Sequence, residues 1–489
     1  MKKLLLYTFL AIFVMACQKK VTEIIPRDRI SSDLAFSTPD KIETSVLGAY
    51  NSLQNLNFLS GRTLVYIDLM GNDVFDRGAY FGDLPRFNML ANSGFASSTW
   101  NAGYAAIATA NRAAVGVAEN ETLLPAGKAN ELVGECLFVR AVAHFYMVNF
   151  FAHPYNYSAG ATHEGIPVIT ENFTTNDPAA NKPRSSVAEV YSSIIQDLTD
   201  AISLLPATYG TVYETKTRAT KAAAASLLAR VQLYKGDFAV AESICMDIMN
   251  GVYGSFDLQS SPAGVFGPGN YQTTETIWSI PNNPNDNPNT NNALPMHYHP
   301  NGRADIAVAA TFLDAATNPY LPMDDLRRTD MLISGNISDG TQHLLFTGKY
   351  PDVGGRADWA PVLRYAEILL IYAECAARTG TGVDVDALNA LNQVRNRAQV
   401  SEPSYTAASF TDKDDFIAAI MGERRIELAF EGHRFWDMMR TNTAVTDKYD
   451  NDGVSLLPVL NPGTDKAIFP IPQAEIDKSG GVLKQNNSY

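Results

Sequence analysis

Along most of the chain, apolar residues recur every three or four positions. Leu132, Cys136, Ala143 and Met147, with Val139 and Phe145 beside them, predict a helix closed by Pro154. Val187, Val190, Tyr191, Ile194, Ile195 and Leu198 predict a second, ending before Pro206. From Ala219 to Gly251 an alanine-rich helix, a break at Gly236-Asp237 and a helix carrying Phe238, Ala241, Ile244 and Ile248 read as a tight hairpin, and Arg364–Gly380 followed by Val385–Ala398 reads as another. Small residues facing each other across a short turn suit tetratricopeptide-type packing, and the recurrence of such hairpins predicts a helical-repeat scaffold.

The helical period is lost between about residues 254 and 362. The stretch Pro281–Arg303 is dense in proline and asparagine, which fix turns instead of extending helices. A smaller loop-like region spans Asp68 to Trp100. The fold class expected is mainly α: a tetratricopeptide-like helical-hairpin scaffold with a large irregular, loop-rich, ligand-binding portion. Its parts are residues 1–16 (signal peptide), 17–30 (tether), 31–253 (helical), 254–362 (irregular) and 363–489 (helical).

The first sixteen residues follow a separate pattern: Lys2 and Lys3, an apolar run from Leu4 to Val14, then Met15, Ala16 and Cys17. This is the layout of a bacterial export signal, too short to span a bilayer. An aliphatic residue three before Cys17 and an alanine directly before it match a lipobox, so Cys17 is the expected lipidation site, carrying palmitate or a similar acyl chain. Cys136, Cys245 and Cys375 each fall within helical apolar patterns and read as buried, unpaired thiols. No stretch after Cys17 approaches the roughly 20 continuous apolar residues of a spanning helix.

The chain has 489 residues and a formal charge of −14, which removal of Lys2 and Lys3 with the signal lowers to −16. Such acidity argues against a nucleic-acid partner, whose phosphates demand basic stripes. The most charge-rich stretch, "GERRIELAFEGHRFWDMMRT" (Gly422–Thr441), resembles an active site, with Glu423, Glu427 and Glu431 at successive i, i+4 positions. Thr411 and Asp414 read as a capping box for the helix before it, and Gly432 as its stop, after which Phe435, Trp436 and Met439 pack back. Arg424 and Glu427 fall inside the apolar stripe, where charge is costly unless paired. Four acids against four arginines within the stretch point to a structural ion network, represented by Arg424, Glu427, Glu431 and Arg434, instead of a glycosidase pair with one raised carboxyl.

Other chemistry finds less support. There is no H-E-x-x-H, C-x-x-C, G-x-S-x-G or Walker pattern. His297 and His299 lie close together without a third ligand. Asp447–Gly453 and the Asn-rich loop supply oxygen ligands at spacings unlike a calcium loop, so no catalytic residue, metal or cofactor is expected, and a structural calcium ion is not indicated.

Several motifs, in order along the chain, together resemble the SusD/RagB family of lipid-anchored nutrient-binding outer-membrane proteins. They are the lipobox at Cys17, "GAYNSLQ" at Gly48, "WNAGYAAIATANRA" at Trp100, the hairpin at Ala219, "LRYAEILLIYAECAA" at Leu363, "LNQVRNRA" at Leu391, "ERRIELAFEGHRFWDMMR" at Glu423, "FPIPQAEI" at Phe469 and the terminal "QNNSY". The resemblance implies a non-catalytic binder of oligosaccharide, lipid-anchored to the outer membrane and facing the cell exterior, that closes over a SusC-like TonB-dependent transporter. A branch of the family binds peptides, which is the alternative, with a glycan hydrolase behind it. The tether departs from the family in one respect: its first acid is Glu23, after Gln18, Lys19, Lys20 and Val21.

A sugar site needs an exposed aromatic face with amides or carboxylates at its edge. The irregular regions offer Trp100 with Asn101 and the loop carrying Asp73, Tyr80 and Phe81, followed by Trp359, Tyr298 and Trp278. These eight residues are the expected ligand contacts, while Trp436 is expected in the core.

Overall fold

The computed structural model describes residues 32–173, 181–336 and 343–489. The signal segment, Cys17 and the tether lie outside the described residues. Helices α1 (Pro39–Leu53) and α2 (Arg62–Met70) lead through strand β1 (Val74–Asp76) to the long helices α3 (Gly94–Glu119), α4 (Lys128–Phe151) and α5 (Val187–Leu204), then α6 (Lys221–Lys235) and α7 (Phe238–Met249). An irregular excursion holds β2 (Thr276–Ile280), β3 (Ile306–Val308), β4 (Leu332–Asn336), β5 (His343–Thr347) and β6 (Ala360–Arg364). Helices resume with α8 (Tyr365–Thr379), α9 (Val385–Asn396), α10 (Lys413–Glu427) and α11 (Arg434–Arg440).

From α3 to α9 each helix packs on the next, which gives a mainly α, tetratricopeptide-like array. Local chemistry sets the breaks. Ser186 and Glu189 cap α5 reciprocally, and Thr220 accepts the Ala223 amide at the start of α6. Gly236 turns the chain from α6 into α7 at φ +83°, a left-handed conformation that glycine adopts without steric cost. Helix α6 is buried from Ala222 to Tyr234, because its run of alanines lets α5, α7 and α8 all approach it.

Although the whole excursion separates them in sequence, α7 and α8 are packed neighbours. The excursion closes on itself where it rejoins the array: β2 pairs antiparallel with β6, and β6 runs directly into α8. Two further antiparallel pairs, β1 with β3 and β4 with β5, stiffen it, the first tying it back to the end of α2. Cys136, Cys245 and Cys375 are free and buried.

Two boundary readings are corrected. The cap of α10 is Asp412, which accepts from the Asp415 amide, while the Asp415 carboxylate reaches back to the Thr411 amide; the box sits one residue later than Thr411/Asp414. The helix ends at Glu427, before Gly432, and Phe430 and Gly432 both take positive φ in the turn to α11. The Gly432 N–H is drawn to the Asp68 carboxyl of α2 at 3.0 Å, which explains a turn wider than a simple glycine stop.

Candidate functional site: an aromatic and guanidinium face beside the Asn-rich loop

The charge-rich stretch is buried except at Arg434, Arg440 and Thr441, which are partly exposed. Arg424 and Glu427 do not pair with each other. Arg424 donates to Asp437 at 2.8 Å and lies 3.4 Å from Glu367. Glu427 accepts from Arg397 (2.6 Å), Arg364 (3.0 Å) and Arg327 (3.2 Å). Arg364 also grips Glu431 at 2.7 Å, and Lys349 donates to the same carboxylate at 2.6 Å. Arg434 stands apart, donating to Asn72 at 3.2 Å and 3.9 Å from Asp73. The expectation that the stretch neutralises itself is therefore corrected. Asp437 does find Arg424 and Arg440 there, but the partners of Glu423, Glu427 and Glu431 come from the excursion, from β6 and from the end of α9.

This network fixes the excursion onto the helices. Burial alone would raise Glu427, yet the Arg397, Arg364 and Arg327 guanidiniums hold it far below the usual carboxylate range. Glu431 is likewise lowered by Arg364 and Lys349 against the effect of burial. Burial does raise Glu423, which is locked onto Arg327 with no path to solvent. None of the three is placed to protonate a leaving group.

The aromatic candidates separate sharply. Phe81, Trp278 and Tyr298 are fully buried, which removes them as ligand platforms. Trp278 stands edge-on to Phe138 and donates its indole N–H to the Thr217 carbonyl, and the Tyr298 hydroxyl meets Asp68 at 2.5 Å. Asp73 is also buried, bound to Arg425 at 2.6 Å. Trp100 is only 4% exposed, wedged between Tyr104 and Phe151. Its edge and the exposed Asn101 line a cleft of about 230 Å³ with Tyr104, Lys182 and Glu475, so the pair offers a rim, not a stacking face. Trp359 stacks flat on Tyr271 and donates to the Asn282 carbonyl, which makes it a support.

Tyr80 is the candidate that reaches the surface, and the reason is local. Both oxygens of Asp76, at the end of β1, accept backbone amides: Oδ1 from Tyr80 (3.0 Å) and Oδ2 from Phe81 (2.7 Å). This Asx-type loop turns consecutive side chains opposite ways, Phe81 into the core against Tyr66 and Phe95 and Tyr80 outward, half-buried.

Two guanidiniums meet Tyr80, and an amide holds each of them. The Arg303 guanidinium lies 4.3 Å above the ring centroid, and Arg62, the first residue of α2, donates to the Tyr80 hydroxyl at 3.1 Å and to Asn57 at 3.3 Å. Arg303 is held by Asp305 at 2.9 Å and by the exposed Asn291 at 2.5 Å. Asp305 also receives His297, and these two donors keep its carboxylate low although burial alone would raise it. Among the described residues, the buried Arg62 Nε has no partner.

Asn291 arrives from the Asn-rich loop, which winds through successive Asx turns: Asn283 to the Asn285 amide, Asn287 to Asn289, and Asn289 to Asn291, each near 2.9–3.0 Å. The loop can sit against α2 only because residue 61 is glycine; a Cβ there would lie 2.1 Å from the Asn292 carbonyl oxygen. Tyr80 and the Asn-rich loop, both singled out from sequence, thus meet. Arg62, Asn57 and the role of Arg303 had no sequence signal, because their meeting depends on long-range packing. Among the described residues, no three His, Cys, Asp or Glu side chains cluster to hold a metal ion, and no helix is long and apolar enough to cross a membrane.

Comparison with known proteins adds to this geometry. Two family models match the chain: the SusD family over residues 338–489, and one described as "Starch-binding associating with outer membrane" over residues 32–233. SusD-like protein P2 of Formosa agariphila is 24% identical, covering 99% of both chains. A putative sugar binding protein from Bacteroides vulgatus is 26% identical with a TM-score of 0.77, over 92% of this chain and 99% of that one. A SusD superfamily protein from Bacteroides thetaiotaomicron has a TM-score of 0.80 at 22% identity, with the same coverage.

Proposed function

The chain belongs to the SusD family, and from that premise we propose that it is a non-catalytic receptor for an oligosaccharide, held at the outer membrane by acyl chains on Cys17 and working with a SusC-like TonB-dependent transporter. The observation that carries the ligand class is the Tyr80 face. A partly exposed ring, two guanidiniums and two amides form one cluster, and this set suits the CH face and hydroxyl rim of a sugar. The relatives support it: one similar structure is a putative sugar binding protein, and a matching family model is described as starch-binding.

Asn291, Arg303, Arg62 and Asn57 are the proposed hydrogen-bonding groups, with the part of the Tyr80 ring that Arg303 leaves uncovered as the apolar contact. Asn101 and the edge of Trp100 are proposed as a peripheral rim. Catalysis is not part of the proposal, because Glu427 and Glu431 are bound by arginines away from this face.

The test is a glycan array probed with the purified chain after Cys17, followed by chromatography of any bound glycan. Retention of a defined glycan class that is recovered uncut supports the reading. Retention of no glycan, or release of shorter products, contradicts it. Co-purification of a barrel protein with the lipidated chain tests the transporter partnership separately.

A further inference from the structure

A second concavity, of about 320 Å³, lies between α1 and the short helix Val212–Thr217, and nothing above uses it. Two apolar side chains stand open at it: Tyr213 is 47% exposed and Leu47 is 42% exposed. Tyr213 is unusually well supported for a surface ring. It stands edge-on to Trp359 at 5.6 Å and 79°, and Trp359 in turn stacks on Tyr271 at 5.1 Å and 11°. The two rings behind Tyr213 are fixed in place, Trp359 by the Asn282 carbonyl and Tyr271 by the Asp358 carboxylate. A ring held this way is ordered before any ligand arrives, so stacking on it costs little conformational entropy.

The polar rim is acceptor-rich. Gln54 donates its amide to the Pro281 carbonyl (2.8 Å) and to Asp286 (3.2 Å), which leaves the amide oxygen as an acceptor. Glu214 is oriented by the Thr211 hydroxyl at 2.8 Å. Arg218, the cation lining the cleft, is neutralised by Glu135 at 2.6 Å and Glu43 at 2.7 Å. Hydroxyl donors are therefore favoured over carboxylate or sulfate groups.

The cleft also connects to the Tyr80 face. Pro281 and Asp286, at one end of the Asn-rich loop, meet Gln54, while Asn291 at the other end meets the Arg303 that covers Tyr80. We propose that the Tyr213 cleft is a second subsite, for a neutral pyranose unit of the same polysaccharide, so that a long glycan engages both ends of this loop. The inference rests on the glycan reading above. Two linked contacts give a polysaccharide more retention than either alone, because the second binds at a raised effective concentration.

The test is native affinity electrophoresis of the chain after Cys17 in gels containing amylopectin, xylan, galactomannan, laminarin or pectin, comparing the parent with Tyr213→Ala, Tyr213→Phe, Tyr80→Ala and the double alanine variant. In the gel that retards the parent, Tyr213→Ala is expected to cut retardation at least threefold without abolishing it, Tyr213→Phe to keep most of it, and the double variant to abolish it. Unchanged retardation of Tyr213→Ala overturns the second subsite while leaving the receptor reading intact. A parent that migrates freely in every gel overturns both.

Discussion

The Arg364 guanidinium donates to the Glu427 carboxylate at 3.0 Å with neither side chain exposed to solvent, and the pair joins the last strand of the irregular excursion to the end of α10. Removing one member of a buried pair strands the other, at a cost of about 3–5 kcal/mol. Arg364→Met is therefore expected to lower unfolding free energy by that amount in urea titration. An unfolding midpoint equal to that of the parent would show that the network does not hold the excursion.

Trp100→Ala is expected to act on stability first. With Trp100 buried against Tyr104 and Phe151, truncation leaves a cavity and should cost about 3–5 kcal/mol, read as a lower thermal midpoint. A variant that keeps its midpoint while losing ligand would instead restore Trp100 as a ligand platform.

Gly61→Ala tests how the Asn-rich loop is seated. The added methyl would meet the Asn292 carbonyl oxygen, so the loop must shift away from α2 and take Asn291 from Arg303. The expected result is weaker glycan binding together with faster amide exchange confined to residues around 286–293. Unchanged exchange there would mean that the close approach is not needed.

Burial pushes Asp68 up to about 8, against a reference of 3.8. A carboxyl raised in the folded state adds stability that is complete below its unfolded pKa and is lost as pH rises toward 8. Asp68→Asn mimics the protonated form, so between pH 5 and pH 9 its thermal midpoint should fall by several degrees less than that of the parent. Parallel midpoint curves for the two proteins would contradict a protonated Asp68.

The repeat scaffold was legible because it depends on local signals. Helix periods and Gly236 as a hairpin break each act within a few residues. The charge stretch was legible as structural but not in its pairing, since Glu427 finds Arg364, Arg397 and Arg327 only after distant segments converge. Aromatic candidates were harder still. Tyr80 and Phe81 are adjacent and similar in sequence, and only the Asp76 loop sends one outward and the other inward. Tyr213 had no sequence signal to set it apart from the nearby Tyr209, and its support by Trp359 spans far-apart segments.

The central claim is that the Tyr80 face binds sugar. Titration calorimetry of the parent and of Tyr80→Ala, against the glycan that the array identifies, tests it most directly. The account predicts saturable binding by the parent, affinity at least about tenfold lower for Tyr80→Ala, in keeping with the loss of a central aromatic contact, and thermal midpoints that agree closely. Equal affinities in the two proteins would contradict it.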